Sequence, residues 1–308
     1  MTNINVLKGA KVPPGQRVWK TLTPFAYLSP TIILLAVLSF IPIATVFYYS
    51  LMDNVIITRT DPTFVGLSNY AEILSNKTFR QAFEHTLFLA SASVIAHFIL
   101  GLSFALLLNT NLLSAGVKAI FRVIYILPWV FTASIIAILW RLLLNPNGVV
   151  NYLLAEAGLA SKPVEWLSSR ELALYTVTFI NIWAGYPFYM VSFLAGLQGI
   201  PADLYEAGKI DGANGIQLFR FITLPQLRPI ITSLALLDFI WTTHQFTLIW
   251  MTTGGGPIRA TEVLSTFTYK LAFSSYEFSL ASTTAMLILA LSAFLAVFYV
   301  RNQRLANE

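Results

Sequence analysis

One apolar segment of the sequence, residues 229–258, carries four side chains that suit ligand binding. At 100° per residue, Asp238, Trp241, Thr242 and Gln245 lie on one face of a helix. Their carboxylate, hydroxyl and amide groups can hydrogen-bond to hydroxyl groups of a ligand, and the indole provides an aromatic surface. This combination suits a carbohydrate in a water-filled cavity. The alternative is a structural role, because polar side chains in apolar surroundings also hold helices together.

A second apolar segment, residues 172–202, offers a similar face. Asn181, Gly185, Phe188 and Ser192 share one side of a predicted helix there. We predict that the two faces together form a substrate pathway. Its six predicted residues are Asn181, Phe188, Asp238, Trp241, Thr242 and Gln245.

The sequence lacks the spacings that would indicate an enzyme or a metal site. His85, His97 and His244 form neither an HExxH pair nor another paired-ligand spacing, and the chain contains no Cys. No Gly-x-Ser-x-Gly element is present to hold a nucleophile. We therefore predict no catalytic residue and no metal site. His244 falls on another face than Asp238, which predicts a packing or hydrogen-bonding role for it.

A compact charged stretch, EAGKIDGANG (residues 206–215), interrupts the apolar second half of the chain. Residues at helical spacing predict a short helix from about 202 to 211. Gly212 and Gly215 follow, where φ can be positive or two backbones can approach closely. This order predicts a helix followed by a sharp turn.

A second short helix is predicted after the turn, from Ile216 to Ile222. It should end before Leu224-Pro225, because the residue that precedes a proline avoids the helical conformation. The whole 203–225 segment is then either an ordinary interhelical loop or a docking element for a soluble partner.

The composition places these features in a membrane. Of 308 residues, 56% are hydrophobic and 11% are charged, whereas a soluble domain has about 25% charged residues. The net charge of +5 is not concentrated in basic clusters with interleaved aromatic residues, so we predict no nucleic-acid partner. The bilayer is therefore the expected solvent, with lipid around the chain.

Six long apolar runs predict six transmembrane helices, because about 20 apolar residues cross the hydrocarbon core and only helices satisfy their backbone there. The chain should thus be an all-α membrane protein, with a membrane domain over 24–302 between tails at 1–23 and 303–308. The predicted spans are about 25–51, 86–110, 121–141, 172–198, 229–252 and 279–301.

The distribution of Lys and Arg predicts the orientation. With six spans, the two termini, residues 111–122 and residues 203–228 lie on the same side, and together they carry eleven of the 19 basic residues. The positive-inside rule assigns this side to the cytoplasm. Both termini and the 203–225 segment are then expected to be cytoplasmic.

The 203–225 segment resembles the EAA loop of ABC importer permeases. That pattern has Glu-Ala-Ala, three residues, Gly, then nine residues and Ile-x-Leu-Pro. One departure is Gly208 at the third position of the motif, where Ala is usual. The matching residues, for which the resemblance implies contact with an ATPase, are Glu206, Ala207, Gly208, Asp211, Gly212, Ala213, Leu224 and Pro225.

Other segments resemble the sugar-importing branch of the same family, as Asp211-Gly212-Ala213 also does. They are Phe64–Tyr70 (FVGLSNY), Leu127–Trp140, Asn145–Gly148 with Asn151, and Thr253–Pro257 with Thr261. The resemblance covers residues from about 25 to 300. By this pattern the sequence is similar to permeases of the maltose and glycerol-3-phosphate type.

This resemblance implies the type I importer fold and a set of partners. They are a second permease subunit, usually a related but distinct chain, two cytoplasmic ATPase subunits, and an extracytoplasmic sugar-binding protein that delivers a carbohydrate or polyol. ATP and Mg²⁺ are expected on the ATPase, because this sequence contains no Gly-x-x-x-x-Gly-Lys-Ser/Thr loop. The implied location is the inner membrane of a bacterium.

Two other functions remain open from the residues alone. Asp238 and His244 are ionisable residues in an apolar segment, which is by default a functional feature. They keep open a sugar carrier driven by protons or sodium ions, with an intramembrane hydrolase as a weaker alternative. Such carriers commonly contain internal repeats, and they need no helix directed at an ATPase.

Overall fold

The computed structural model describes residues 14–53, 55, 61–110 and 112–307, which are mostly helical. The predicted all-α class is confirmed, with one small antiparallel pair of strands, β1 (Met52–Asp53) and β2 (Thr63–Phe64). The helices in chain order are α1 (Pro14–Leu35), α2 (Ile41–Ser50), α3 (Ser68–Ser75), α4 (Lys77–Asn109), α5 (Ala115–Val130), α6 (Ala133–Leu143), α7 (Val149–Glu156), α8 (Ala173–Gln198), α9 (Ala202–Ile210), α10 (Gly215–Leu218), α11 (Leu224–Thr243), α12 (Thr247–Thr252), α13 (Leu264–Phe273) and α14 (Phe278–Asn307). Two π-helical segments, Ala36–Phe40 and Phe219–Thr223, join α1 to α2 and α10 to α11.

Four helical stretches of the described chain are long and apolar enough to cross a membrane. They are Thr23–Ser50, Lys77–Asn109, Ala173–Gln198 and Phe278–Arg301. Helices α5 and α6 add a fifth if the pair counts as one span. The predicted 229–252 span, which contains most of α11 and all of α12, is not in this set, so the six-span count stays a prediction. Residues 1–13 of the predicted N-terminal tail lie outside the described residues, and helix continues into both predicted tails from Pro14 and to Asn307.

The predicted third and fifth spans are interrupted near their middles. Helices α5 and α6 meet at an angle of 99° around residues 131–132, where Thr132 begins α6 as its N-cap. Helix α11 ends at Thr243, and α12 starts four residues later. The Gln245 carbonyl released by this second break accepts a hydrogen bond from Ser265 Oγ at 2.7 Å. Backbone groups at membrane depth need such partners, because no water replaces them.

The central contact of the fold is between α4 and α8. A Cβ atom at Gly101 would lie 2.4 Å from Tyr189 Cβ and 2.9 Å from the backbone nitrogen of Met190. The two helices therefore approach closely only because residue 101 has no side chain. Buried side chains of both helices, including Leu102 and Phe193, form the largest apolar cluster with Leu227 and Leu234 of α11.

Buried amide side chains organise the loops between helices. Asn69 Nδ2 donates to the carbonyls of Ser50 and Met52, at 3.1 and 2.9 Å. Asn151 Nδ2 donates to the Val164 carbonyl at 3.0 Å, and Asn151 Oδ1 accepts from Trp166 Nε1 at 3.2 Å. These residues belong to two of the segments that carry the family resemblance, and the contacts give both a structural role.

Substitution of Gly101 should separate α4 from α8. We expect Gly101→Ala to destabilise the protein by about 1–3 kcal/mol, because backbone atoms of α8 cannot yield as the end of a side chain can. The apparent melting temperature of the purified protein in detergent measures this. The matched control is Gly116→Ala in α5, where a Cβ would meet nothing within 4 Å. Equal melting temperatures for the two variants would contradict the close crossing.

Candidate functional site

A cavity of about 210 Å³ lies where the interrupted helices α5–α6 and α11–α12 meet α4 and α8. Its wall contains residues from both sides of each break, such as Trp129 and Ala133, and Thr242 and Leu248. The polar part of the wall is formed by His97, Asn181, Asp238, Thr242 and Gln245. The interruptions thus border a partly polar cavity among otherwise apolar helices.

A buried pair, His97 and Asp238, connects α4 to α11 in this wall. The distance from His97 Nδ1 to Asp238 Oδ2 is 2.8 Å, and the side chains are 2% and 11% exposed. The second ring nitrogen, Nε2, lies 3.2 Å from the carbonyl oxygen of Asn181. Thr242 Oγ1 donates to the other carboxylate oxygen, Oδ1, at 3.2 Å. Both ring nitrogens of His97 and both carboxylate oxygens of Asp238 therefore have a hydrogen-bond partner in the protein.

A second set of hydrogen bonds joins the same helices beside this pair. Asn181 Nδ2 donates to Ser93 Oγ at 2.9 Å, and Gln245 Nε2 donates to Asn181 Oδ1 at 3.2 Å. Residue 93 lies one helical turn before His97 on α4. Because the Asn181 carbonyl also contacts His97, Asn181 links the two sets. Six polar side chains, five from α4, α8 and α11 and one from the break between α11 and α12, thus form one hydrogen-bonded network at the cavity.

Gly185 provides the space for the imidazole. A Cβ atom there would lie 2.4 Å from His97 Cε1 and 2.5 Å from Nε2. The side chain of His97 can therefore reach Asp238 only because α8 has no side chain at this position. Gly185 shares the predicted α8 face with Asn181, and its contribution is the absence of a side chain.

Aromatic rings form the opposite part of the site. Phe188 lies between two indoles, with ring centroids 5.9 Å from Trp129 and 5.7 Å from Trp241. Both indoles line the cavity and remain more than half exposed. Phe188 does not line the cavity itself and instead supports the two rings from behind.

The structure brings together most of the residues that the sequence singled out. Five of the six predicted pathway residues line the cavity, and Phe188 is the exception. Sequence reasoning missed three residues, Ser93, His97 and Trp129. Two of them had a visible signal: a Ser and a His four residues apart lie on one face of the uncharged 86–117 run. His244 does not line the cavity, and its Nε2 pairs with Ser292 Oγ at 2.7 Å.

The 203–225 segment forms a separate, exposed structure. Helix α9 spans Ala202–Ile210, close to the predicted 202–211, and Gly212 has φ +81°. Helix α10 then begins with a capping box, in which Asn214 and Gln217 bond to each other's backbone nitrogens at 3.0 and 2.7 Å. The predicted helix and sharp turn are both present.

The second predicted helix differs from the prediction at its end. It was expected to stop before Leu224-Pro225, but helix continues from α10 through the π-helical segment into α11. Pro225 lies in the first turn of α11, directly after that segment. Its ring and its missing N–H interrupt the regular α-helical hydrogen-bond pattern at this point, where the π-helical segment gives way to α11. The prediction that Pro225 ends the helix was therefore wrong.

Most of the residues that are predicted to contact an ATPase are accessible on this segment. Glu206, Ala207, Asp211, Gly212 and Pro225 are exposed, and Gly208, Ala213 and Leu224 are half-buried. The departure at Gly208 has a structural reason, since a Cβ there would lie 2.7 Å from Leu218 Cδ2 and 3.0 Å from Ile222 Cδ1. Tyr205 OH also contacts Thr223 Oγ1 at 2.9 Å, which joins α9 to the start of α11.

Comparisons with known proteins match most of the chain to permeases of one transport family. Residues 97–306 match the family described as binding-protein-dependent transport system inner membrane component. A probable ABC transporter permease protein, y4oQ of Sinorhizobium fredii, is 34% identical over 296 residues, which cover 94% of this chain and 93% of that protein. The trehalose/maltose transport system permease protein MalF of Thermococcus litoralis is 34% identical over 288 residues, covering 92% and 94%.

Solved structures show the same fold. A bacterial ABC transporter involved in the import of the acidic polysaccharide alginate contains a chain with TM-score 0.80 and 25% identity, covering 95% of this chain and 100% of that one. A chain of the MetNI methionine ABC transporter has TM-score 0.53 and 18% identity, covering 73% and 94%. The second likeness concerns the fold alone.

The fit between Gly185 and His97 can be tested by a double-mutant cycle. We expect Gly185→Ala to destabilise the protein by about 1–3 kcal/mol, because the new methyl group displaces the imidazole. In a His97→Ala background the same substitution should cost about 0.5 kcal/mol or less, since the atoms it would meet are gone. Apparent melting temperatures of the four proteins measure both steps. Equal losses in the two backgrounds would contradict the assigned contact.

Proposed function

Because the chain belongs to the family of binding-protein-dependent transport system inner membrane components, we propose that it forms half of the translocation pathway of an ATP-driven carbohydrate importer. It is a transport component of the inner membrane, and members of this family are not enzymes. The observation that carries the proposal is the polar cavity at the meeting point of two interrupted helices. A ligand at membrane depth needs such a space, because an uninterrupted apolar bundle offers no hydrogen-bond partners.

A carbohydrate or related polyol is the proposed substrate class. The relative from Thermococcus litoralis is named for trehalose and maltose transport. In this chain, the amides of Asn181 and Gln245 and the hydroxyl of Thr242 suit sugar hydroxyl groups, while Trp129 and Trp241 provide flat apolar surfaces for the sugar ring. Asn181, Asp238, Trp241, Thr242 and Gln245 are the proposed pathway residues, with Phe188 supporting the indoles.

The proposed partners follow from the family and from the exposed surfaces. They are a second permease subunit that completes the pathway, two ATPase subunits that bind ATP and Mg²⁺, and an external binding protein that delivers the sugar. No side chain between residues 23 and 49 is buried in this chain. These side chains are therefore available to lipid or to the second permease. We propose a cytoplasmic location for both termini.

The 203–225 segment is the proposed contact with the ATPase. It combines charged residues, such as Glu206 and Asp211, with apolar side chains that point outward: Ile210 and Ile216 are 86% and 79% exposed. An exposed helix with both kinds of side chain fits a groove on another protein. Closure of the ATPase would then displace α10 and the helix that continues from it.

An ion-driven carrier is less well supported than an ATP-driven one. That alternative depended on Asp238 and His244, and His244 lies outside the cavity, where its ring contacts Ser292. The two carboxylate oxygens of Asp238 already accept hydrogen bonds from His97 and Thr242, so a proton or ion taken from solution would have to compete with these donors. The exposed 203–225 segment also has no role in a carrier that works without an ATPase.

If residues 203–225 transmit closure of the ATPase to the membrane helices, variants of this segment should lose sugar uptake and the stimulation of ATP hydrolysis by substrate. Gly212→Val places a β-branched residue at φ +81°, which costs about 1–2 kcal/mol of local strain, and Glu206→Lys reverses an exposed charge. We expect both variants to abolish sugar uptake while the permease still inserts in the membrane. The measurement is substrate-stimulated ATP hydrolysis in vesicles that contain the complete importer.

The control for the turn is Gly215→Ala, which adds a methyl group to the same segment where φ is not positive and nothing lies within 4 Å. It should leave the folding of the segment unchanged. Full stimulation of ATP hydrolysis in both Gly212→Val and Glu206→Lys would exclude this segment as the coupling element and would reopen the ion-driven alternative.

The pathway residues should affect uptake without affecting assembly. Trp241→Ala, Thr242→Ala and Gln245→Ala should each lower the uptake rate about fivefold or more, since loss of one ligand contact costs about 1 kcal/mol or more. Co-purification of the ATPase should be unchanged. Thr232→Ala is the matched control, because Thr232 lies on α11 and its hydroxyl bonds only its own helix, at the Arg228 carbonyl. Normal uptake kinetics in all three cavity variants would remove them from the pathway.

A further inference from the structure

We infer that the substrate which passes this chain carries no net charge, so that it is a neutral sugar or polyol rather than a uronate, a sugar phosphate or an amino sugar. The inference rests on the proposed function and narrows its substrate class. It is carried by the charges of the cavity wall.

The cavity wall holds two ionisable side chains, and they bind each other. Among the described residues that line it, His97 and Asp238 are the only titratable groups, and no Lys or Arg is present. Arg141, which follows the lining part of α6, does not line the cavity and donates instead to the Met251 carbonyl at 3.3 Å. A negatively charged substrate would therefore find no Lys or Arg side chain in the lining of this cavity.

The hydrogen bonds fix the net charge of the pair at zero. His97 Nε2 faces the Asn181 carbonyl, which can only accept, so Nε2 carries a proton. The 2.8 Å contact between Nδ1 and Asp238 Oδ2 requires one further proton between them. Whether that proton is on the ring or on the carboxyl group, the charges of the two side chains sum to zero.

A positively charged substrate is also poorly matched to this wall. Asp238 is 8% exposed, and its two oxygens already accept from His97 and Thr242. An ammonium group would have to share these oxygens with the donors already bound, at a carboxylate that is largely buried. Displacing His97 would leave its Nδ1 buried without a partner, which is unfavourable in a low-dielectric site.

The groups that remain free are neutral. They are the side-chain oxygen of Gln245 and the remaining lone pairs of Thr242 Oγ1, beyond the bonds that these side chains donate to Asn181 and Asp238, and the exposed faces of Trp129 and Trp241. Uncharged hydroxyl groups can use the former, and the C–H faces of a sugar ring can pack on the latter. A solved relative of similar fold imports an acidic polysaccharide, so the fold alone does not determine the charge of the substrate.

The first test compares substrates. The importer is reconstituted with its own second permease, ATPase and binding protein, and ATP hydrolysis is measured with maltose, trehalose, glycerol, a diuronate disaccharide, glycerol 3-phosphate and glucosamine. Stimulation confined to uncharged compounds supports the inference. Stimulation by a uronate, a phosphate or an amine overturns it and leaves the proposed function intact. If no carbohydrate or polyol stimulates while another class of compound does, the proposed function and the inference both fail.

The second test changes the charge of this chain and is independent of the selectivity of the binding protein. His97→Gln can keep a hydrogen-bond donor but leaves the charge of the Asp238 carboxylate uncompensated, and uptake of a neutral sugar should fall about tenfold or more. Adding Asp238→Asn to the same chain replaces the pair by two neutral amides, and uptake should recover to within about threefold of the original rate. Co-purification of the ATPase checks assembly in each case.

The outcome that contradicts the inference is an assembled double variant that transports as poorly as His97→Gln. The neutrality of the pair would then be unimportant, and the particular groups of His97 and Asp238 would matter instead. If His97→Gln does not assemble, the double variant alone decides: an assembled complex with near-normal uptake of a neutral sugar supports the inference, and failure of uptake overturns it.

Discussion

The close crossing of α4 and α8 is the contact around which the rest of the structure is arranged. A methyl group has no room at Gly101 of one helix or at Gly185 of the other, where it would meet Tyr189 and His97 respectively. At Gly185 and one turn before it, the helices are near enough for Ser93 and His97 to reach Asn181 directly. The apolar cluster on one side of the crossing includes α11, which is how Asp238 comes within hydrogen-bond distance of the imidazole. Packing by small residues and a buried polar network therefore depend on the same crossing.

The breaks between α5 and α6 and between α11 and α12 are the second feature on which the cavity depends. A broken helix in hydrocarbon releases backbone groups that must find partners in the protein. Ser265 supplies one for the Gln245 carbonyl, and Thr132 caps the start of α6. These two backbone groups, the Gln245 carbonyl and the Ile135 N–H, thus have partners that do not line the cavity. What remains is a cavity whose polar groups are mostly engaged with one another and whose exposed surface is largely aromatic.

Local features were predictable from the sequence, whereas pairings between distant residues were not. The face that holds Asp238, Trp241, Thr242 and Gln245 follows from helical periodicity, and the positive φ of Gly212 follows from glycine placement. The partner of Asp238 is 141 residues away in the sequence, and periodicity carries no information about which helices become neighbours. The helix breaks were also missed, because an apolar run looks the same whether it is straight or bent by 99°. The prediction that Pro225 ends a helix applied a local rule where a π-helical turn changed the local geometry.

That π-helical turn, Phe219–Thr223, has a consequence for the alignment of the two functional parts of the chain. Helix runs from Gly215 in α10 to Thr243 in α11 without a connecting loop. In a helix each residue rotates the chain by about 100°, and a π-turn contains more residues than an α-turn. The turn therefore sets the angular phase between the exposed surface of α10 and the side of α11 that bears Asp238. Gain or loss of a single residue between them would turn Asp238 and Trp241 towards a different neighbour while leaving every side chain chemically unchanged. The number of residues in this stretch is thus as much a determinant of the site as their identity.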